Sequence, residues 1–377
     1  MSSIRTLNRH LPIQWTLKSL GAGPLWSSPN IASTSRRTYT STQAQSDSDH
    51  VATLLQNDEL TPEDAFNEIR WITQEVREKA KRLIAKGKMP EIEEDSISEM
   101  VARRSKGEPL QYILGTTDFG PLTIQCRRPV LIPRPETAFL TDRLASYISS
   151  LVSSLTSRDR PSNPLKILDL CSGTGCIGLL LARLNPLSTV VGIDNSPVAV
   201  QLGMVNARDS DLDDRVKFKY GNLFNGDTTK LLSHTNSSLI PPPPHPDLRQ
   251  RHTGDGKYGM IISNPPYIPY NEYQTLPRSV REYESPSALL GDLQEKHGRG
   301  LKYHERISEI LPDLLCETEE LEQKGWKGVP RLVLEIGKGQ SADVVDILRA
   351  ANGGLVEKTE IWKDQFGVER FVLAWTK

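Results

Sequence analysis

The sequence predicts an α/β protein: a doubly wound, Rossmann-like sheet preceded by a small helical domain. Three observations carry this. Between 165 and 194 a buried-strand pattern, a glycine loop, a helix and a second strand follow one another as one β-α-β unit. Short strand-like segments at 216–220, 258–263 and 331–336 repeat the strand signal, with helical stretches between several of them. Ahead of these, 61–83 shows only the three- and four-residue apolar spacing of a helix.

The 377 residues suffice for more than one domain, and 37% hydrophobic with 25% charged residues is ordinary for a globular chain. No apolar run approaches the roughly 18 residues of a membrane span, so no membrane association is expected. Cys126, Cys171, Cys176 and Cys316 form no CxxC pair, which argues against a disulfide framework or a zinc site and predicts no metal. Residues 1–46 hold Arg5, Arg9, Lys18, Arg36 and Arg37, many Ser and Thr, and no acid before Asp47, the composition of a mitochondrial transit peptide. A matrix location follows as the expectation. Without those five of its 46 basic residues the chain carries 41 against 47 acids, or −6. That balance disfavours nonspecific nucleic-acid binding and favours a protein or small-molecule substrate.

Taken in order, 47–107 reads as a helical domain. Thr61 caps a helix with Pro62 at its first position, and Ala65, Phe66, Ile69, Ile72, Val76, Ala80 and Leu83 mark one face. A second helix is expected from about Ser96, stopped by Gly107. Residues 108–137, with glycines and prolines among alternating apolar positions, read as short strands or a hairpin linking the domains; Arg134, between Pro133 and Pro135, and Glu136 just after them are candidate substrate-binding residues. The sheet domain occupies 138–377, interrupted at 225–256 by a proline-rich insertion. A helix over about 301–323, a strand at 331–336, a helix from Ser341 and strands at 355–362 and 368–375 complete it.

The chemistry gathers at two places. Cys171-Ser172-Gly173-Thr174-Gly175 is a tight loop after the strand ending Asp169-Leu170, and Asp194 lies about 20 residues on, where a carboxylate at the second strand's end can take both ribose hydroxyls. Read literally, Gly173-x-Gly175-x-x-Gly178 also fits a dinucleotide fingerprint. Asn222 and Leu223, past the third strand, would border the base. The second place is Ile261-Ile262-Ser263-Asn264-Pro265-Pro266-Tyr267, where prolines end a buried strand and fix Asn264 at its tip. An asparagine amide with neighbouring carbonyls, beside the aromatic Tyr267, can grip a planar NH2 group.

Joined to Glu108-Pro109-Leu110 with Tyr112 and Gly115, to Leu131-Ile132-Pro133-Arg134-Pro135-Glu136-Thr137, to 281–288, to Leu334-Glu335 with Gly337, and to 364–370, these features resemble the class I S-adenosylmethionine-dependent methyltransferases. Within them the chain resembles the HemK/PrmC family, which methylates the glutamine of the Gly-Gly-Gln motif in class I peptide-chain release factors. The resemblance implies a seven-stranded Rossmann-like domain, S-adenosylmethionine as cofactor, a mitochondrial release factor as protein partner, and a monomer. It assigns Asp169, Cys171 to Gly175, Asp194, Asn222, Leu223 and Asn264 to the cofactor. It assigns the Asn264 side chain and the Pro265 carbonyl to the two N–H groups of the substrate amide, with Pro266 beside them and Tyr267 packed on the amide. Two departures stand out: the family loop Gly-Thr-Gly-Thr-Gly begins Cys171-Ser172 here, and its Asp-Trp-Phe appears as Asn222-Leu223-Phe224. Other readings are an amino-methyltransferase acting on adenine or guanine in nucleic acid, a fold that has lost catalysis and serves interaction, and, least favoured, a dehydrogenase.

Overall fold

The computed structural model describes residues 41–155, 160–161, 163–225, 257–292, 298–350 and 352–377. Most of the basic segment 1–46 and nearly all of the proline-rich insertion lie outside these residues.

Helices α1 (Ser41–Leu54), α2 (Pro62–Ala85) and α3 (Glu93–Ser105) form the first layer. Thr61 caps α2 as its sequence predicts: Thr61 Oγ1 accepts from the Asp64 amide (3.2 Å) and Asp64 Oδ2 accepts from the Thr61 amide (3.0 Å). Ala65, Ile69, Ile72 and Val76 are buried, but Phe66 of the same series is 58% exposed. α3 starts at Glu93 rather than Ser96, because Glu93, Glu94 and Asp95 fill a first turn whose free N–H groups favour acids. A buried two-pronged pair, Arg104 to Glu68 at 2.7 and 3.0 Å, ties α3 to α2.

The connecting region is more ordered than short strands alone. It holds a helix, α4 (Leu110–Leu114), and an antiparallel hairpin of β1 (Thr116–Phe119) and β2 (Leu122–Gln125). Pro135 opens α5 (Pro135–Ser153), with Arg134 as cap and Glu136 in the first turn. Proline holds φ at a helical value where no N–H is needed, so residues 135–137 belong to a helix rather than a linker.

Seven strands then build one sheet: β3 (Leu165–Leu170), β4 (Ser188–Asp194), β5 (Val216–Tyr220), β6 (Met260–Ser263), β7 (Leu332–Glu335), β8 (Val356–Lys363) and β9 (Glu369–Thr376). Their order is β5-β4-β3-β6-β7-β9-β8, parallel except for β9, which runs against both neighbours. Successive strand residues face opposite layers. Ile167 packs with Leu144 of α5, Leu180 of α6 (Cys176–Leu184) and Val200 of α7 (Pro197–Asp209), whereas Leu168 packs with Ile307 and Leu311 of the opposite layer. Between β6 and β7 run α8 (Tyr270–Tyr273), α9 (Arg278–Tyr283), α10 (Pro286–Leu289), α11 (Lys302–Leu314) and α12 (Thr318–Gln323); α13 (Ser341–Ala350) follows β7.

The single helix expected over 301–323 is two. Leu315 is extended, and around it the Tyr258 amide donates to the Leu314 carbonyl (2.8 Å) and the Cys316 amide to the Tyr258 carbonyl (3.0 Å). Pairing with the chain entering β6 replaces the helical bonds there. At the centre of the sheet the strand order reverses beside β3, and the carboxyl ends of β3 to β6 open a crevice, where such sheets bind ligands.

Candidate active site

The loop after β3 winds tightly because three of its five residues are left-handed: Cys171 at φ +59°, Gly173 at +54° and Gly175 at +80°. At Gly175 a Cβ would lie 2.3 Å from the Phe218 ring, so only glycine fits without a shift. Cys171 holds its left-handed φ as a non-glycine residue, at a cost in strain. The Gly173 amide donates to Asp194 Oδ2 (2.8 Å) and the Ser196 amide to Asp194 Oδ1 (2.8 Å), which fixes the carboxylate at the end of β4. Asn206 of α7, which no motif marked, holds the loop from below: its amide donates to the Thr174 carbonyl (2.9 Å) and accepts from the Gln125 amide (2.8 Å).

One cleft collects most of the residues the sequence nominated. Cys171, Ser172, Gly173, Thr174, Asp194, Asn222, Leu223, Asn264, Pro266 and Arg134 all line it. So do Tyr303, Ser285 and Ser287, which sequence reasoning did not nominate. Asn264 is half-buried at the tip of β6, and Ser263 beneath it donates its hydroxyl to the Leu170 carbonyl (2.7 Å), locking the tip to the loop's root.

Five nominated residues do not line the cleft. Asp169 is fully buried under the loop; its Oδ2 accepts from the Gly178 amide (3.1 Å), and burial pushes its carboxyl up to about 7. Gly175 serves the loop's shape, its amide donating to the Ser172 carbonyl (2.7 Å). Pro265 is buried in the tip itself. Tyr267, expected as an aromatic wall, instead donates its hydroxyl to Glu335 Oε1 (3.3 Å), while its carbonyl accepts from Gln340 (2.9 Å). The reason is Glu335, a buried carboxylate that must find donors and takes Thr137 Oγ1 (2.7 Å) as its second. Burial is also the main cause that raises the Glu335 carboxyl to about 7, with nearby Glu136 raising it further. Glu136 is half-buried and acts on Glu335 through its charge rather than lining the cleft.

Arg134 lines the cleft, but its guanidinium is engaged: Nη2 donates to Glu284 Oε1 (2.7 Å), and the other Glu284 oxygen accepts from the Ile132 amide (3.1 Å). With the Ser285 amide on the Pro129 carbonyl (3.1 Å), these bonds stitch 129–134 to 284–285 along one wall. Arg134 thus shapes the wall through Glu284, whose position inside 281–288 was the available signal.

The loop and Asp194 suit a nucleoside cofactor. Ser172 Oγ is buried on the cleft with no hydrogen-bond partner, and the Asp194 carboxylate keeps acceptor capacity beyond the backbone amides that fix it. These groups fit the polar parts of S-adenosylmethionine.

Residues 51–115 match the family model described as the PrmC N-terminal domain, and 161–234 match a methyltransferase domain. The release factor glutamine methyltransferase of Rhodopirellula baltica is 31% identical over 286 residues, 76% of this chain and 80% of that protein. That of Fusobacterium nucleatum is 32% identical over 285 residues, 75% of this chain and 65% of its own length, so the match spans just under two thirds of that relative. The human MTRF1L release factor glutamine methyltransferase is 33% identical, covering 59% of this chain and 57% of that one. Among solved structures, human methyltransferase 10 domain containing protein shares 17% identity, covering 69% of this chain and 89% of that chain with a TM-score of 0.41. Identity carried across four fifths of the bacterial protein means that this chain belongs to the HemK/PrmC family of release factor glutamine methyltransferases.

Proposed function

We propose that this chain transfers a methyl group from S-adenosylmethionine to the side-chain amide nitrogen of the Gly-Gly-Gln glutamine of a class I release factor, and that it does so in mitochondria. The observation that carries the reading is the position of Asn264: it opens onto the same cleft as Asp194 and the 171–174 loop, so a planar amide held by it meets the cofactor's side of the crevice.

S-adenosylmethionine, when bound, supplies an electrophilic methyl on sulfur. An amide nitrogen is a poor nucleophile because its lone pair is shared with the carbonyl, so orientation carries much of the rate. Asn264 Oδ1 accepts one substrate N–H and the Pro265 carbonyl the other, which aims the nitrogen lone pair. Partial negative charge on both acceptors also favours the positive charge that develops on nitrogen before one N–H proton is released to solvent. Tyr267 contributes from behind: its bonds to Glu335 and from Gln340 keep the tip from moving as the substrate enters. Asp194 and Ser172 would hold the cofactor.

The mitochondrial setting rests on the basic, acid-free composition of 1–46. Among the described residues no helix is long and apolar enough to cross a membrane. The test mixes the purified chain, S-adenosylmethionine and a mitochondrial release factor and maps the Gly-Gly-Gln peptide by mass spectrometry. One added methyl on the glutamine is the expected result. An unmodified glutamine with label in RNA or DNA would move the substrate to an exocyclic amine.

A further inference from the structure

Leucine at position 223 removes the aromatic surface that the family places there, yet the cleft has another one close by. Tyr303, in the first turn of α11, is only 8% exposed and lines the cleft with Leu223 and Cys171. It shares a buried cluster with Ile193 and Leu223.

The helix that carries it is fastened to the 222–224 turn at two points. Arg306 donates Nε to the Leu223 carbonyl (2.8 Å), and Phe224 meets the Tyr303 ring edge-to-face, with centroids 5.0 Å apart at 84°. Residues three apart on a helix share a face, so Tyr303 and Arg306 address the same turn, and the ring is braced rather than loose. Asp194 ends β4 and the 222–224 turn follows β5, its neighbour in the sheet. A nucleoside whose ribose meets Asp194 therefore carries its base towards that turn and towards Tyr303.

We propose that Tyr303 is the wall on which the cofactor's adenine packs, supplying from a different element the aromatic contact that Leu223 lacks. This rests on the cofactor assignment above. It makes Tyr303 a binding residue for the base alone, with no part in holding ribose or the amino-acid end.

Calorimetric titration of the full chain with S-adenosylhomocysteine and with base-free S-ribosylhomocysteine tests it. Wild-type protein that binds no S-adenosylhomocysteine overturns the cofactor assignment and this proposal with it. Given wild-type binding, Tyr303→Leu should weaken S-adenosylhomocysteine about tenfold, the scale of base–aromatic packing. Tyr303→Phe should stay within about twofold, and S-ribosylhomocysteine should be unchanged by either variant, because ring and base are the two partners. Equal losses for both ligands, or no loss of S-adenosylhomocysteine affinity in the Leu variant, overturn the role of Tyr303 alone. Thermal melts check folding, and Tyr303→Met replaces the Leu variant should that one be unfolded.

Discussion

The two rims of the cleft are built on opposite rules. At the 171–175 loop the backbone sets the shape: Cys171, Gly173 and Gly175 share left-handed φ values, and the Gly173 amide fixes Asp194. At the strand tip side chains set it: prolines end β6, Ser263 ties the tip to Leu170, and Tyr267 is anchored on Glu335. A backbone-defined rim accepts a residue that tolerates the required φ where there is room for its side chain, which is how cysteine can stand at 171 while Gly175 cannot be replaced so easily. A side-chain-defined rim accepts few replacements, and there the chain keeps Asn-Pro-Pro-Tyr in full.

The comparison breaks first at Gly175. Gly175→Ala adds a Cβ into the Phe218 ring on a left-handed residue, and we expect a loss of about 3 kcal/mol with a matching fall in the melting temperature. Gly173→Ala meets nothing nearer than Val130 at 3.9 Å and should cost only about 1 kcal/mol, the strain of its φ alone. Equal losses at both positions would show that space, and not backbone, is irrelevant to the loop.

The opposite rim is probed through Glu335. Its carboxyl in the fold is raised to about 7, so the folded state favours the protonated form. That contribution is complete below the unfolded value near 4.5 and is lost as pH rises through about 7. Glu335→Gln cannot titrate. Denaturant melts should therefore show wild type losing about 3 kcal/mol relative to this variant between pH 4.5 and pH 8. A pH-independent difference would mean that the carboxyl does not carry the raised value.

The smallest effect is expected at Cys171. Cys171→Gly relieves about 1–2 kcal/mol of left-handed strain but adds freedom to the unfolded chain, leaving a net gain of up to about 1 kcal/mol. Tighter binding of S-adenosylhomocysteine by this variant would sharpen the account. A loss of stability would show that the thiol's packing outweighs the strain.

The sheet is legible because its central strands, buried on both faces, are written as short apolar runs, as at 260–262 and 332–334, while the edge strand at 216–220 alternates Val and Phe with Lys. The cleft's loop and tip were legible because glycine and proline announce backbone shape. What was not legible lay in tertiary pairing. Nothing near Tyr303 marks it as a cleft residue, since only the docking of α11 on the 222–224 turn brings it there. Tyr267 looked like an open wall because a sequence does not show that Glu335, 68 positions away, is buried and needs its hydroxyl. Arg134 looked like a ligand for the same reason, its partner Glu284 lying 150 residues on. The break at Leu315 came from pairing with Tyr258, another contact between distant segments.

The division of labour between the rims is tested most directly at Asn264. Asn264→Ala should lower single-turnover methylation of a Gly-Gly-Gln release factor at least about a hundredfold, as the loss of an oriented acceptor does. Its calorimetric affinity for S-adenosylhomocysteine should stay within about threefold of wild type, because the loop and Asp194 are intact. Methyl transfer that survives, or cofactor affinity that falls in step with the rate, would contradict the assignment of chemistry to the strand tip.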